Sequence, residues 1–478
     1  MTGILRYPII EEIHPAPSTL EAFKLFRNDP YCFFLDSGMD PHKLGRYSFM
    51  GSDPFIVLSS RQKRCVITRG TEETHVDASP FDVLGSLIEE YRIESSSSPV
   101  PFVGGGVGYL SYDLCHFIER LPVTVVDDLQ LPECYFAFYD VVLAYDHLEG
   151  KTYIISTGFP ELVEEERMVR AGNRVNEMKS RLTGDGNSEA GTMITAGPAA
   201  AGLTGGFTHE GYVSAVEKAR QYIIAGDIFE VNISQRFEAE LTIVPYDLYQ
   251  RLRRINPAPF ASYLGFDDVA IVSASPERFI RLKGDHVETR PIKGTRPRDR
   301  DPERDQALAR ELLNSPKDRA ENIMIVDLER NDLGRVCRYG TVRVTELAIL
   351  EVFPTVFHLT STVEGRLRKG KNAVDLLKAT FPGGSITGAP KVRSMEIIDE
   401  LEPTRRSVYT GSIGYMGFDG NLDLNIVIRT FIIKDGKAYF QVGGAVVYDS
   451  DPEEEYQETL DKARALINAL NIRAEGGD

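Results

Sequence analysis

The chain is predicted to fold as α+β, with antiparallel β-sheets packed in layers, helices outside them and a duplicated scaffold beneath. Strand-like runs of apolar, β-branched and aromatic residues recur at 55–59, 141–145, 152–156, 270–273 and 438–442. No regular helix alternates with them, as a doubly wound parallel sheet would require. A motif also occurs twice. Gly105-Gly-Val-Gly-Tyr-Leu-Ser-Tyr-Asp113 and Gly411-Ser-Ile-Gly-Tyr-Met-Gly-Phe-Asp419 share G-x-[VI]-G-Y-[LM]-x-[FY]-D. The length, 478 residues, allows two to three domains and a large core.

Taken in order, residues 1–182 form an N-terminal accessory domain ending in a charged helix over 161–181. Residues 183–206 are small and polar and read as a flexible linker or loop. The C-terminal domain, 207–478, opens with a helix capped by Thr208. It closes with a helix that Asp451 caps and Pro452 begins. Tyr456, Leu460, Ala463, Ile467 and Leu470 form the expected core stripe of that last helix.

Composition excludes several classes. Asp and Glu outnumber Lys and Arg by 71 to 54, a net charge of -17. Such a surface repels nucleic acid and anionic membrane. An anionic ligand would need cations gathered locally against that background. Five cysteines (32, 65, 115, 134 and 337), with no C-x-x-C pair, read as reduced thiols rather than a disulfide or zinc framework. Glu11 and Glu12 interrupt any secretory apolar run, and no stretch reaches the roughly 18 residues of a membrane span. A cytoplasmic protein is expected.

Two tempting motifs fail. Residues 381–391 lack the Lys-Ser/Thr that a phosphate loop needs after its last glycine, because Ala389-Pro390 follows Gly388. Residues 104–108 do not complete G-x-G-x-x-G. No cysteine sits in a G-x-C-x-G nucleophile motif, so the chain is not expected to hydrolyse glutamine itself.

Two carboxylate pairs are more informative. Asp318 and Glu321, and Glu455 and Glu458, are each three apart, which puts both members on one helical face. Lys462 shares the face of Glu455 and Glu458. A hard cation such as Mg²⁺ takes one or two carboxylates plus water and substrate oxygens. From spacing alone a solvated acidic face explains the same pattern. The run Glu288-Thr-Arg-Pro-Ile-Lys-Gly-Thr-Arg-Pro-Arg298 holds Lys293 between turn residues. It reads as an anion-binding segment or as a basic surface loop.

Together these segments resemble the chorismate-utilising enzyme family. The C-terminal half matches through Gly226-Asp-Ile-Phe to Ser234-Gln-Arg-Phe, Ser275-Pro-Glu-Arg-Phe, Pro291-Ile-Lys-Gly-Thr-Arg-Pro-Arg and Arg319-Ala-Glu-Asn to Asn331-Asp-Leu-Gly-Arg-Val. It matches again through Gly383-Gly-Ser-Ile-Thr-Gly-Ala-Pro-Lys and Glu455-Tyr-Gln-Glu-Thr. The N-terminal half matches through Phe34-Leu-Asp-Ser and Gly45-Arg-Tyr-Ser-Phe-Met-Gly. The resemblance implies an anthranilate synthase component I-like fold. It implies that Glu321 and Glu458 hold Mg²⁺ on the ring carboxylate, with Asp318 and Glu455 supporting through water. Arg429 and Tyr409 would grip the enolpyruvyl carboxylate. Thr295 and His358 would sit by the ring, Gly443 and Gly444 would bring backbone to the substrate, and Lys462 would add a cation. Glu277 would be the general acid. Ammonia would come from a glutamine amidotransferase partner.

Position 293 separates two amine-using branches of this family. In one, alanine stands there, ammonia attacks ring carbon 2, and pyruvate is eliminated. In the other, lysine stands there. Its amine takes carbon 2 and expels the carbon 4 hydroxyl, and ammonia then enters at carbon 4. Lys293 implies the second. The lysine must react as neutral amine, and only roughly 0.04% is neutral at pH 7 at the ordinary pKa of about 10.4. Burial and cations such as Arg296 are expected to depress it. The alternatives are amination at carbon 2, a chorismate-binding subunit without turnover, and water-using chemistry. Two positions depart from the family pattern. Glu230 stands where amine-users have glutamine and water-users lysine. Ala445 stands where a third glycine is usual.

Overall fold

A computed structural model describes residues 6–37, 39–95, 97–183 and 199–471. Its strands form two antiparallel sheets of twelve strands each. The first runs in the order Ile9–Glu12, Lys151–Ser156, Val141–Asp146, Tyr47–Gly51, Cys32–Asp36, Phe260–Phe266, Val269–Ser275, Thr430–Lys434, Lys437–Val446, Glu230–Leu241, Ala200–Gly205. Gly388–Ala389 also pairs with Glu230–Leu241. The second runs Ile292–Pro297, Val356–Arg366, His286–Arg290, Arg278–Lys283, Leu422–Asn425, Ser412–Gly417, Gly105–Leu110, Cys134–Tyr139, Ile56–Arg61, Arg64–Arg69, Glu72–Asp77, with Arg343–Val352 on Val356–Arg366.

Alternation along the strands builds the layers. On Cys32–Asp36, Phe33 enters a large core shared by both sheets, with Phe49, Tyr109, Phe136 and Leu424. Its neighbours Cys32 and Phe34 point the other way, into a second core with Phe23, Tyr249, Leu252 and Leu466 from outer helices. Successive side chains on a strand face opposite ways, so one strand serves both cores. Apart from Phe55, the five expected strand runs lie in strands, and helices pack outside the sheets, as expected.

The repeated motif has a structural meaning. Gly105–Leu110 and Ser412–Gly417 are antiparallel neighbours in the middle of the second sheet. Gly108 pairs with Gly414, the same motif position in each copy.

The division of the sequence is not a division of the sheets. Each sheet takes strands from both sides of 183–206. Residues 184–198 of that stretch lie outside the described residues, and Ala200–Gly205, expected as linker, is an edge strand. The helix expected over 161–181 is Glu164–Thr183. Thr208 caps His209–Ile224 by accepting from Gly211 N. In the last helix, Pro452–Leu470, the buried positions are Glu455, Thr459, Ala463, Leu466, Ala469 and Leu470. The expected stripe was right at Ala463 and Leu470, whereas Tyr456, Leu460 and Ile467 are only half-buried. The helix is turned so that Glu455 faces inward.

Candidate active site

Lys293 lies on Ile292–Pro297, whose register against Val356–Arg366 slips between Ile292 and Thr295. Such an irregularity re-aims a side chain. Gly294, inside the slip, has φ 88°. Glycine takes that backbone freely, and a Cβ there would also meet Asp318 Oδ1 at 3.0 Å. Lys293 is 7% exposed. Its Nζ pairs with Glu230 Oε1 at 2.5 Å. Glu230 comes from Glu230–Leu241 and is fully buried.

Glu277 is also buried. Its Oε1 accepts from Ser385 Oγ at 2.6 Å and from Ile292 N at 3.3 Å. Burial pushes its pKa up to about 7, against the pull of those hydrogen bonds and of Lys293. Thr295 pairs with His358 across the ladder, with Oγ1 2.8 Å from Nδ1. Burial, helped by the charges of Arg429 and Lys462, holds His358 down to about 3, so the ring is neutral. Its Nε2 is buried without a partner among the described residues.

Two capped helices supply the carboxylates. Ser315 caps Pro316–Gly334, which carries Asp318 and Glu321. Asp451 caps Pro452–Leu470, which carries Glu455, Glu458 and Lys462. Asp318 pairs with Arg296 at 3.1 Å, Glu455 Oε1 accepts from Ser450 at 2.7 Å, and Glu458 pairs with Lys462 at 2.6 Å. Lys462 also donates to Gly443 O at 2.8 Å. Glu321 Oε1 and Glu455 Oε2 are buried with no partner among the described residues. Burial pushes Glu321 up to about 7. Burial and neighbouring Glu458 push Glu455 up, while Lys462 draws Glu458 down.

Among the described residues no three His, Cys, Asp or Glu side chains converge into a complete metal shell. The two orphaned carboxylate oxygens come from two different helices. That donor set fits Mg²⁺, which keeps water and substrate oxygens in its remaining positions. Gly444 leaves room for these groups, since a Cβ there would meet Glu455 Oε2 at 2.9 Å and Glu458 Oε1 at 3.5 Å.

Arg429 donates Nη1 to Asn256 Oδ1 at 3.2 Å and has φ 52°. That left-handed backbone costs an L-residue roughly 1–2 kcal/mol. Burial lowers its pKa to about 10, so it stays cationic at neutral pH. The Tyr409 ring lies 5.9 Å from the Arg406 guanidinium carbon. Burial raises its phenol, which stays protonated.

A cavity of about 750 Å³ gathers these groups. Lys293, Glu277, Thr295, His358, Tyr409, Arg429, Gly443, Lys462, Glu321, Glu458, Asp318 and Glu455 all line it, and so does Ala445. Gly444 does not; it backs the carboxylates instead. Seven cations line it, Lys293, Arg296, Lys317, Arg406, Arg429, Lys462 and Arg464, against six acids, Glu277, Asp318, Glu321, Glu455, Glu458 and Asp461. With Glu230 behind Lys293 as a seventh acid, the chain's acidic excess is cancelled locally, as an anionic ligand requires. A second cavity, about 760 Å³, is lined by Asp36, Arg278 and Asp423. There Asp36 is tied to Arg253 and Tyr249, and Asp423 to Arg278. The first cavity gathers Lys293, the carboxylates and the imidazole, with Glu321 Oε1, Glu455 Oε2 and His358 Nε2 unpaired among the described residues, and is the candidate active site.

One expectation is overturned. Burial pushes Lys293 down, but the charges of Glu230, Glu321 and Glu277 outweigh it and hold the ammonium above its ordinary pKa. Arg296 does not help, being taken up by Glu311 and Asp318. Ser385, Asn256 and Arg406 were not singled out from the sequence. Ser385 lay inside the Gly-Gly-Ser-Ile-Thr run that marks the resemblance, which was the available signal.

The profile of a family described as chorismate binding enzyme matches residues 21–468. Aminodeoxychorismate synthase component 1 of Bacillus subtilis is 43% identical over 90% of this chain and 90% of its own length. Anthranilate synthase component 1 of Acetivibrio thermocellus is 40% identical over 98% and 96%. The crystal structure of anthranilate synthase component I from Streptococcus pneumoniae superposes with a TM-score of 0.76 at 34% identity, covering 89% of this chain and 94% of that one.

Proposed function

Since the chain belongs to the family of chorismate binding enzymes, we propose that it is an aminodeoxychorismate synthase component 1. It replaces the carbon 4 hydroxyl of chorismate with ammonia by way of a covalent bond to Lys293. Identity does not separate this activity from anthranilate synthase, because relatives of both kinds match at about the same level. The observation that supports the choice is the buried Lys293 amine on the cavity wall, beside Glu277.

In this reading Arg429 and the Tyr409 hydroxyl bind the enolpyruvyl carboxylate. Thr295 and neutral His358 border the ring. Glu321 and Glu458 would hold Mg²⁺, with Asp318 and Glu455 reached through water. When bound, the ion neutralises the ring carboxylate. Glu277, with a pKa of about 7, carries a proton at neutral pH often enough to act as general acid. The neutral amine of Lys293 bonds to carbon 2, the ring double bonds shift, and the carbon 4 hydroxyl leaves as water with the proton of Glu277. Ammonia bonds to carbon 4, the double bonds shift back, and Lys293 leaves carbon 2. The surplus proton on the new ammonium returns to Glu277.

Ammonia is supplied by a separate glutamine amidotransferase subunit. The five cysteines are free and buried, and burial raises their thiols, to about 11 at Cys65 and Cys337. Thiols so raised are poor nucleophiles. The test is product identification from chorismate, Mg²⁺ and an ammonium salt. The expected product keeps its enolpyruvyl group and carries the amine para to the carboxylate. Anthranilate with released pyruvate would overturn the reading in favour of carbon 2 amination.

A further inference from the structure

We propose that Glu230 is the proton acceptor that turns the Lys293 ammonium into the attacking amine. This rests on Lys293 being the nucleophile. Three observations carry it. Glu230 Oε1 is 2.5 Å from Lys293 Nζ. Glu230 is wholly buried and Lys293 nearly so, and the carboxylate is in direct contact with Nζ. The second oxygen of Glu230, Oε2, is buried without a hydrogen-bond partner among the described residues. Among the described residues, Asn232 Nδ2 at 3.5 Å is the other group that approaches Oε1. The carboxylate is therefore committed to one strong partner, the lysine.

The surroundings explain why an internal acceptor is needed. Lys293 feels Glu230 from one sheet, Glu277 from the link between strands Val269–Ser275 and Arg278–Lys283, and Glu321 from helix Pro316–Gly334. It also acts on Glu458 of helix Pro452–Leu470. With four carboxyl groups around it, the ammonium does not shed its proton to solvent at neutral pH. A proton moved from Nζ to Glu230 leaves a neutral amine beside a neutral carboxylic acid, and the net charge of the site is unchanged. In water the carboxylic acid and ammonium pKa values differ by about six units in favour of the ion pair. The neutral pair is therefore a minority form, drawn off as the amine bonds to carbon 2.

The proton count closes. Nζ gives one proton to Glu230, then bonds to carbon 2 as a secondary ammonium. When ammonia enters at carbon 4, the carbon–nitrogen bond breaks with its electron pair returning to Nζ. The lysine emerges as neutral amine beside protonated Glu230, which hands the proton back and restores the starting pair.

The consequence is a distinctive pH dependence. With Glu230 present, the reactive pair holds the same number of protons as the resting pair, so its population does not depend on pH. In Glu230→Gln the lysine must lose its proton to solvent, and its neutral fraction then falls tenfold for each pH unit below its pKa. The experiment is steady-state amination of chorismate at fixed free ammonia, with Mg²⁺, between pH 5.5 and 7. Wild type is expected to change by less than about threefold and E230Q to fall by at least tenfold over the same interval. Glu230→Asp, which keeps a carboxylate, is expected to retain the flat profile at a lower rate, separating a proton acceptor from a packing role. Parallel profiles for wild type and E230Q would overturn the proposal, as would an E230Q enzyme faster than wild type at pH 6. That second result would mean that Glu230 only restrains the ammonium. Lys293→Ala in the same assay isolates the premise. If it keeps the product and rate, the nucleophile reading fails. If it stops amination while the E230Q and wild-type profiles coincide, only the role of Glu230 fails.

Discussion

Ser385 should influence catalysis measurably without a contact to the reacting carbons. Its hydroxyl donates to Glu277 Oε1 at 2.6 Å and so stabilises the carboxylate, which has been pushed to about 7 by burial. A hydrogen bond to a charged group contributes about 1.5–3 kcal/mol, and one pKa unit is about 1.36 kcal/mol. Part of the bond survives protonation of Glu277, so the lower end applies. Ser385→Ala should raise the pKa of Glu277 by about one unit. Glu277 acts as an acid, so activity is present below its pKa and lost as pH rises through it. In wild type that loss is centred near pH 7; in S385A it should be centred near pH 8. At pH 8 the protonated fraction rises from roughly 10% to roughly 50%, about a fivefold gain relative to each enzyme's own rate at pH 6. The assay is initial rate of amination from pH 6 to 9.5 at constant free ammonia. An S385A limb that superimposes on wild type, or moves to lower pH, would refute the assignment of Glu277.

Four further outcomes are expected. Glu277→Gln should lose turnover by at least about 10²-fold yet melt at higher temperature than wild type at pH 8. The folded carboxyl binds its proton more tightly than the unfolded one, so stability is lost as pH rises from about 4.5 to 7, by up to about 3 kcal/mol; equal melting temperatures at pH 8 would contradict this. Glu321→Ala and Glu458→Ala should each lower turnover by at least about 10²-fold, leave the circular dichroism unchanged and weaken Mg²⁺ binding in calorimetry; full activity of either variant in EDTA would remove the metal assignment. Gly444→Ala places a methyl 2.9 Å from Glu455 Oε2 and should raise the Mg²⁺ concentration needed for half-maximal rate, an effect read by titration and absent if the glycine is mere spacer. The purified chain should aminate chorismate with ammonium but not with glutamine until an amidotransferase subunit is added; glutamine hydrolysis by the chain alone would contradict that.

Much of the fold was legible because its signals are local. Alternating apolar runs found their strands, and the caps Thr208 and Asp451 found two helix starts to the residue. The repeated glycine motif marked two strands that prove to be partners. The layout of the sheets was not legible. Strand pairing between residues such as Phe34 and Tyr263 is set by contacts more than 200 positions apart, and no local pattern encodes that. Hence the chain read as two successive domains, while its sheets interleave both halves. The candidate site was legible as a set of residues through spacing and resemblance. Its electrostatics were not. The sequence places Arg296 three positions from Lys293 and suggests a cation nearby, but the strand sends Arg296 to Glu311 and Asp318. Glu230, 63 positions away, takes the lysine instead.

The most direct test of the central claim is the fate of Lys293→Ala with chorismate, Mg²⁺ and ammonium, followed by both rate and product. If the amine bonds to carbon 2 and shields it, the variant should lose most carbon 4 amination and divert what remains toward product aminated at carbon 2. Wild type held with chorismate but no ammonia should in parallel gain one substrate-derived adduct on the peptide containing Lys293. A Lys293→Ala enzyme that yields the same para-directed product at near wild-type turnover would contradict the account and leave Lys293 an electrostatic residue.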